Sequence, residues 1–291
     1  MKTDRVSFFQ SLINAKDKRW AMIWFSGILI VGIWNLLFLN KPALAKVTTG
    51  FVNTFIIASL VVICTLFLGW GITLSLHYLE KSKNRSGFII MTFIMNLFRS
   101  IPQIVGVLFT YIAISSLITG GKFSSNLLLF PLMSLCMSLF IVNELVDLMR
   151  ERIDYFKKLD FYNAMRICGI SENRIINFDI LWKNSRIHIF NKLIAIFGSA
   201  IFLQCSVDFI ISVGLSTEVN SVTLPVTLGS LLAKIDSKQD ILAIGNTLTN
   251  PTYISHLFFQ HLLGVTVAFL IVFSLLCIYH ISNGYAERHR L

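Results

Sequence analysis

Six long apolar stretches, residues 20–39, 51–79, 87–119, 126–149, 187–215 and 253–282, alternate with shorter polar ones along the chain. Crossing a bilayer takes roughly 20 mainly apolar residues in a helix, so each stretch predicts one membrane span. Several exceed that length, which predicts tilting, kinking or extension beyond the bilayer. In the third stretch, Arg99-Ser-Ile-Pro102 places a residue without a backbone donor inside a helix, so a kink is expected at Pro102. In the fourth, apolar residues give way to Asn143-Glu-Leu-Val-Asp-Leu-Met-Arg-Glu-Arg152, so that helix is expected to run on into solvent, with Asp147 pairing with Arg150. The fold expected is an all-α integral membrane protein with six transmembrane helices.

Composition agrees. Hydrophobic residues make up 55% of the 291 and charged residues only 14%, with a mean hydropathy of +0.72, outside the range of soluble domains. The formal net charge of +10 would suit a nucleic-acid partner, but its distribution argues for topology instead. Lysines and arginines crowd the N-terminal segment, residues 80–86, residues 150–186 and the C-terminal tail, whereas the opposite set of loops holds Lys41, Lys46, Lys122, Lys234 and Lys238. The positive-inside rule then places both termini and the 150–186 loop in the cytoplasm, and the excess charge is read as a topology signal with no nucleic-acid partner.

The expected organisation is a cytoplasmic amphipathic segment over 1–19, a first helix and short outer loop over 20–50, a core over 51–283 with an inner loop at 150–186 and an outer loop at 216–252, and a cytoplasmic tail over 284–291. The basic start followed by an apolar run resembles a signal peptide. At twenty residues the run exceeds the 7–15 of a cleavable one, so the first span is read as retained. In the outer loop, residues 231–235 and 241–244 have the pattern of short amphipathic helices. Cys64, Cys136, Cys168, Cys205 and Cys277 are well separated and form no Cys-x-x-Cys pair, which reads as packing. No phosphate-cradling Gly-x-x-x-x-Gly-Lys-Ser/Thr loop, His-Glu-x-x-His or Gly-x-Ser-x-Gly occurs. The chain is therefore expected to be non-catalytic, with no metal or cofactor of its own. His256 and His261, five residues apart, would point about 140° from each other on a helix.

The polar island between the fourth and fifth spans carries the most information. Asn163, Ala164, Ile167 and Cys168 fall on one helical face, and Gly169 can adopt a backbone conformation closed to other residues. Ser171 follows as a candidate N-cap with Glu172 in the first turn. Ile175, Ile176, Phe178, Asp179 and Leu181 continue a second helix, giving a helix–turn–helix outside the bilayer. Within the spans, Arg99 and Pro102 are candidates for gating. Gln204 and Asp208 read either as a pore-lining polar pair or as a satisfied contact between helices.

The island resembles the cytoplasmic loop of permease subunits of ABC importers, which reads Glu-Ala-Ala, three residues, Gly, nine residues, Ile, one residue, Leu-Pro. Counting from Gly169 puts Asn163-Ala164-Met165 at the Glu-Ala-Ala positions and Asp179, Leu181 and Trp182 at the Ile, Leu and Pro positions. Ala164, Gly169 and Leu181 match, while Asn163, Met165, Asp179 and Trp182 depart. Asp160-Phe-Tyr-Asn-Ala164, Asp179-Ile-Leu-Trp-Lys-Asn184 and Ser100-Ile-Pro102 look most like the dipeptide, oligopeptide and nickel permeases, although only residues 40–50 stand where that group carries a long outer domain.

The resemblance implies a type I ABC importer permease in which residues 163–181 couple a membrane bundle to a separate ATPase. The partners implied are two ATP-binding cassette subunits, a second and non-identical permease, an extracytoplasmic binding protein and the bilayer, with ATP bound by the partner subunits alone. Peptides are the substrate implied first, with phosphonate, amino acid or metal uptake behind them. A gradient-driven secondary transporter is the alternative class, with a non-transporting scaffold as a third.

Overall fold

The computed structural model describes residues 15–82, 85–119, 126–214, 224–233, 235–256 and 262–289, of which 118–119, 126–127, 214, 235–241 and 262 are described in backbone alone. Every regular element among them is helical. Helix α1 (Lys16–Phe38) is followed after two residues by α2 (Lys41–Lys81). Residues 41–50, expected to be an outer loop, are instead the first turns of α2. Asn40 caps them by accepting a hydrogen bond from the Ala43 amide at 3.0 Å, and Pro42 stands in the first turn, where its missing donor costs nothing. At 41 residues the helix is roughly 60 Å long, about twice the hydrocarbon thickness of a bilayer.

The third apolar stretch is divided into α3 (Arg85–Ser100) and α4 (Gln103–Thr119). The expected kink is a bend of 96°. Two consecutive residues, Ile101 and Pro102, fall out of helix there, which frees the chain to turn fully. Helix α5 (Asn126–Lys157) extends past residue 149 as expected. After it come α6 (Asp160–Ile167), the single turn α7 (Glu172–Arg174), a π-helical segment (Ile175–Asn184) and α8 (Arg186–Gly214). The chain closes with α9 (Leu228–Leu232), α10 (Ile235–Thr249), a 3₁₀ turn (Pro251–Tyr253) and α11 (Leu262–His289). The helix expected over 241–244 lies within the longer α10, whereas that expected over 231–235 is not one element: α9 ends at Leu232, Ala233 is a turn and α10 begins at Ile235. Of the expected tail, residues 284–289 continue α11. The expected interfacial segment over residues 1–14 lies outside the described residues.

Five described helices are long and apolar enough to cross a membrane, or six with the bent pair α3 and α4 taken as one span. The ends of the helices decide how that pair counts. Lys157, at the end of α5, reaches His77 near the end of α2, so α2 and α5 finish at the same end of the bundle. The chain leaves that end at α3 and must arrive at the other by residue 126, so α3 and α4 cross once between them.

The core lies where α2, α5 and α8 pack together, with Ile57, Val61, Met133, Ile141, Leu145, Ile196 and Ile201 sealed from the surface. Helix α1 is peripheral and lies along α11. Trp24 donates to Ser274 at 3.1 Å, Thr266 donates to Asn35 at 3.1 Å, and Arg288 pairs with Asp17 at 2.9 Å. Its outer side exposes Phe25, Ile30 and Leu37, apolar surface that a bilayer solvates without penalty.

Candidate functional site

The α6–α8 connection is built from its backbone outward. Gly169 has φ of +78°, the left-handed region that side chains with a Cβ avoid. It ends α6 as a paired C-terminal motif: the Ile170 amide donates to the Met165 carbonyl at 3.2 Å and the Gly169 amide to the Arg166 carbonyl at 3.0 Å. Met165 and Ile170, the apolar pair that accompanies such a motif, both pack against the core. Ser171 holds the N-cap position with extended backbone, but its side chain makes no capping bond. Glu172, next along, has other partners.

Beyond Glu172, Ile175, Ile176, Ile180 and Leu181 are all fully buried. The repeat from 175 to 180 and 176 to 181 is five residues, wider than an α-helical turn, and the segment is wound as a π-helix whose amide at Ser185 reaches the Ile180 carbonyl at 2.8 Å. The winding turns Phe178 and Trp182 outward, 52% and 57% exposed. Trp182, at the position of the family's proline, lies within the segment. Asp179 is half-buried, and its Oδ2 has no hydrogen-bond partner among the described residues.

The two ends of the connection behave differently. Its tip, with Asn163, Ala164, Arg166, Ile167 and Cys168, is exposed, and Ile167 reaches 87%. The face that Asn163, Ala164, Ile167 and Cys168 share therefore points away from the bundle. The base is fastened to α2. Glu172 Oε1 lies 3.1 Å from His77 Nε2, and its other oxygen accepts from Lys81. Lys157 Nζ lies 3.1 Å from His77 Nδ1. A neutral imidazole with the proton on Nε2 satisfies both neighbours, donating to Glu172 and accepting from Lys157. Tyr78 donates to Asn173 at 2.8 Å and Trp70 to Asn177 at 2.9 Å. Burial would push the Glu172 carboxyl up, but hydrogen bonds from Lys81, His77 and Tyr162 outweigh it and hold the group at about 2.

A second polar layer surrounds the α3–α4 bend. Arg99 grips Asp147 with one nitrogen at 2.7 and 2.6 Å from the two carboxylate oxygens. Asp147 therefore pairs across helices and not with Arg150 on its own helix. Gln103, one residue past Pro102, donates to Glu144 at 3.3 Å, and Lys192 on α8 pairs with the same carboxylate at 2.8 Å. The bend is thus tied to α5 and α8 at one level. Gln204 and Asp208 lie deep inside the subunit, 0% and 3% exposed, with Asp208 Oδ2 accepting from Thr227 at 2.6 Å. Asp208 thus has a partner on another element, whereas neither side-chain atom of Gln204, Oε1 or Nε2, has a hydrogen-bond partner among the described residues.

Sequence reading singled out the tip and its glycine but not the anchors on α2. His77, Tyr78 and Lys81 were visible only as polar residues closing an apolar stretch. No pattern within one sequence pairs them with Glu172 and Asn173, more than ninety positions away. Arg99 and Pro102 fall in the bend layer, at a distance in the chain from Gln204 and Asp208, and the four do not form one site.

The arrangement is that of a membrane bundle with an exposed helix–turn–helix fastened to its longest described helix, α2. No curated protein matches the chain. The binding-protein-dependent transport system inner membrane component family matches residues 68–289, which takes in every element from the second half of α2 to the end of α11. The chain belongs to that family of ABC importer permeases.

Proposed function

We propose that the chain is the pore-forming subunit of an ATP-driven importer, that residues 163–181 receive the force of a separate ATPase at the cytoplasmic side, and that peptides are the solute moved. The observation that carries this reading is the contrast within the connection: an exposed tip with Ile167 at 87%, on a base locked to α2 through Glu172. A large apolar side chain presented in water, on a rigid support, is what a partner's cleft buries. Asn163 stands where the resemblance expects a carboxylate, so that position offers the cleft hydrogen bonds without negative charge. A loop altered in this way fits a pair of non-identical permeases, the other keeping the full motif. An extracytoplasmic binding protein would deliver solute at the opposite end; phosphonates, amino acids and metal ions are the other solutes for which the same machinery would serve.

The test is to purify the tagged chain in mild detergent and identify what co-purifies in fixed proportion. A second permease and ATPases with phosphate-binding loops are the expected companions, and crosslinking from the exposed native Cys168 should reach an ATPase. A homo-oligomer without ATPases would overturn the reading in favour of a gradient-driven carrier.

A further inference from the structure

At the end of the bundle opposite the coupling segment, residues 224–232 are wedged between α2 and α8. Asn53 on α2 donates to the Val226 carbonyl at 2.8 Å, and the Leu228 amide donates to Thr54 Oγ1, also on α2, at 3.0 Å. On the other side the Thr227 hydroxyl donates to Asp208 on α8 at 2.6 Å. The same hydroxyl oxygen accepts from the Ser230 amide at 3.2 Å, while Ser230 Oγ accepts from the Thr227 amide at 2.9 Å, so one threonine both starts α9 and fastens it. Leu228 and Leu231 are fully buried. The fit is at backbone contact: a Cβ added at Gly229 would stand 2.4 Å from the Cys205 carbonyl oxygen, and one at Gly50 would stand 3.3 Å from the Thr227 backbone.

We infer that Asp208 is the positioning residue of an outer closure: it holds residues 224–232 in the bundle through Thr227, and the path opens on that side when this bond is released. A carboxylate this deep is tolerated while hydrogen-bonded and is costly without a partner, so the bond has two well-separated states, made or exchanged for water. Release can be driven from the far end. Helix α2 runs unbroken from Asn53 and Thr54 at the wedge to His77 and Lys81 at the Glu172 anchor, roughly 35 Å apart at 1.5 Å per residue. A displacement of the coupling segment therefore acts through one stiff helix on the Thr54–Leu228 contact, while Asp208 on α8 holds the other side. The assignment of this end to the outside rests on the permease reading.

The probe is Cys205, 7% exposed and covered by Gly229. In the full-length chain with Cys64, Cys136, Cys168 and Cys277 replaced by serine, a membrane-impermeant maleimide is added to the outer side of the membrane and the rate of Cys205 labelling is measured. Asp208→Ala and Thr227→Val are each expected to raise the rate at least tenfold, and the double variant no further. Asp208→Asn, whose amide oxygen still accepts from Thr227, should stay within about twofold of the parent. Unchanged labelling in Thr227→Val, or equal acceleration in Asp208→Asn and Asp208→Ala, would overturn the inference; if Asp208→Ala fails to accumulate, Thr227→Val and Asp208→Asn decide it. The measurement needs no ATPase and no solute. Acceleration seen only from the other face would support the closure and refute the expected orientation.

Discussion

His77 Nε2 and Glu172 Oε1 lie 3.1 Å apart across 95 positions of the chain, and this contact joins the end of α2 to the start of α7, the helical turn that follows the exposed tip. The same carboxylate takes Lys81, and the same imidazole takes Lys157. The glutamate, with 15% of its side chain exposed, thus takes α2 through His77 and Lys81 and α6 through Tyr162, while α5 joins by way of the imidazole. The segment that follows the exposed tip is thereby tied directly to α2.

Removing the glutamate should loosen that joint. Glu172→Ala leaves His77 and Lys81 without their acceptor, a loss of about 1–3 kcal/mol for partly buried hydrogen bonds to a charged group. Limited proteolysis of purified protein should then cut within residues 158–186 faster than in the parent, while α1, far from the joint, stays protected. Solute uptake should fall more than membrane abundance does. Equal proteolysis of parent and variant would show that the joint is not what holds the segment.

Acid should reproduce that loss. The Glu172 carboxyl is held at about 2 against an ordinary 4.5, so the folded state favours the ionised form. Its stabilisation is complete above the ordinary value and is lost as pH falls through the folded one. The difference in melting temperature between the parent and Glu172→Gln, in detergent, should close progressively between pH 4.5 and 2. A difference that persists unchanged to the acid end would contradict the ion-paired joint.

Gly169 tests the turn separately from the joint. Nothing lies within 4 Å of a Cβ added there, so the obstacle is its φ of +78° alone. Gly169→Ala should cost about 1–2 kcal/mol, and Gly169→Asn less, because asparagine tolerates the left-handed region. Gly169→Pro also deletes the amide that bonds the Arg166 carbonyl. It should insert normally yet fail to couple ATP hydrolysis to uptake, and normal uptake by a well-expressed Gly169→Pro protein would sink the coupling assignment.

The bend is tested by overpacking. A Cβ at Gly106, in the first turn of α4, would come within 2.2 Å of the Phe140 ring. That ring is buried and already packed edge-on against Phe98 at 5.3 Å, so it has little room to yield. Gly106→Ala should destabilise by roughly 1–3 kcal/mol, read as a lowered melting temperature, and Phe140→Leu on the same chain should recover part of it by clearing the space.

The chain alone determined what depends on short-range chemistry. Whether twenty consecutive residues can leave water is a property of those residues, so the apolar stretches were legible, as was the extension of α5 past residue 149. Whether a turn needs positive φ is likewise local, so Gly169 stood out among its neighbours. The winding after it was not legible, because residues 175–184 suit an α-helix as well as a π-helix until Ile175, Ile176, Ile180 and Leu181 must all be buried at once.

Tertiary structure decided everything that turns on distance. The Asn40 cap recruited residues 41–50 into α2. Contacts of Arg99 and Gln103 with Asp147 and Glu144 tie a 96° bend that proline alone left as a kink. Asp208 lies inside the subunit and accepts from Thr227, and Glu172 found its partners on α2. A charge deep in a bundle or a turn at its mouth is stable only with a matching group beside it, and the chain brings that group from far away through the packing of whole helices.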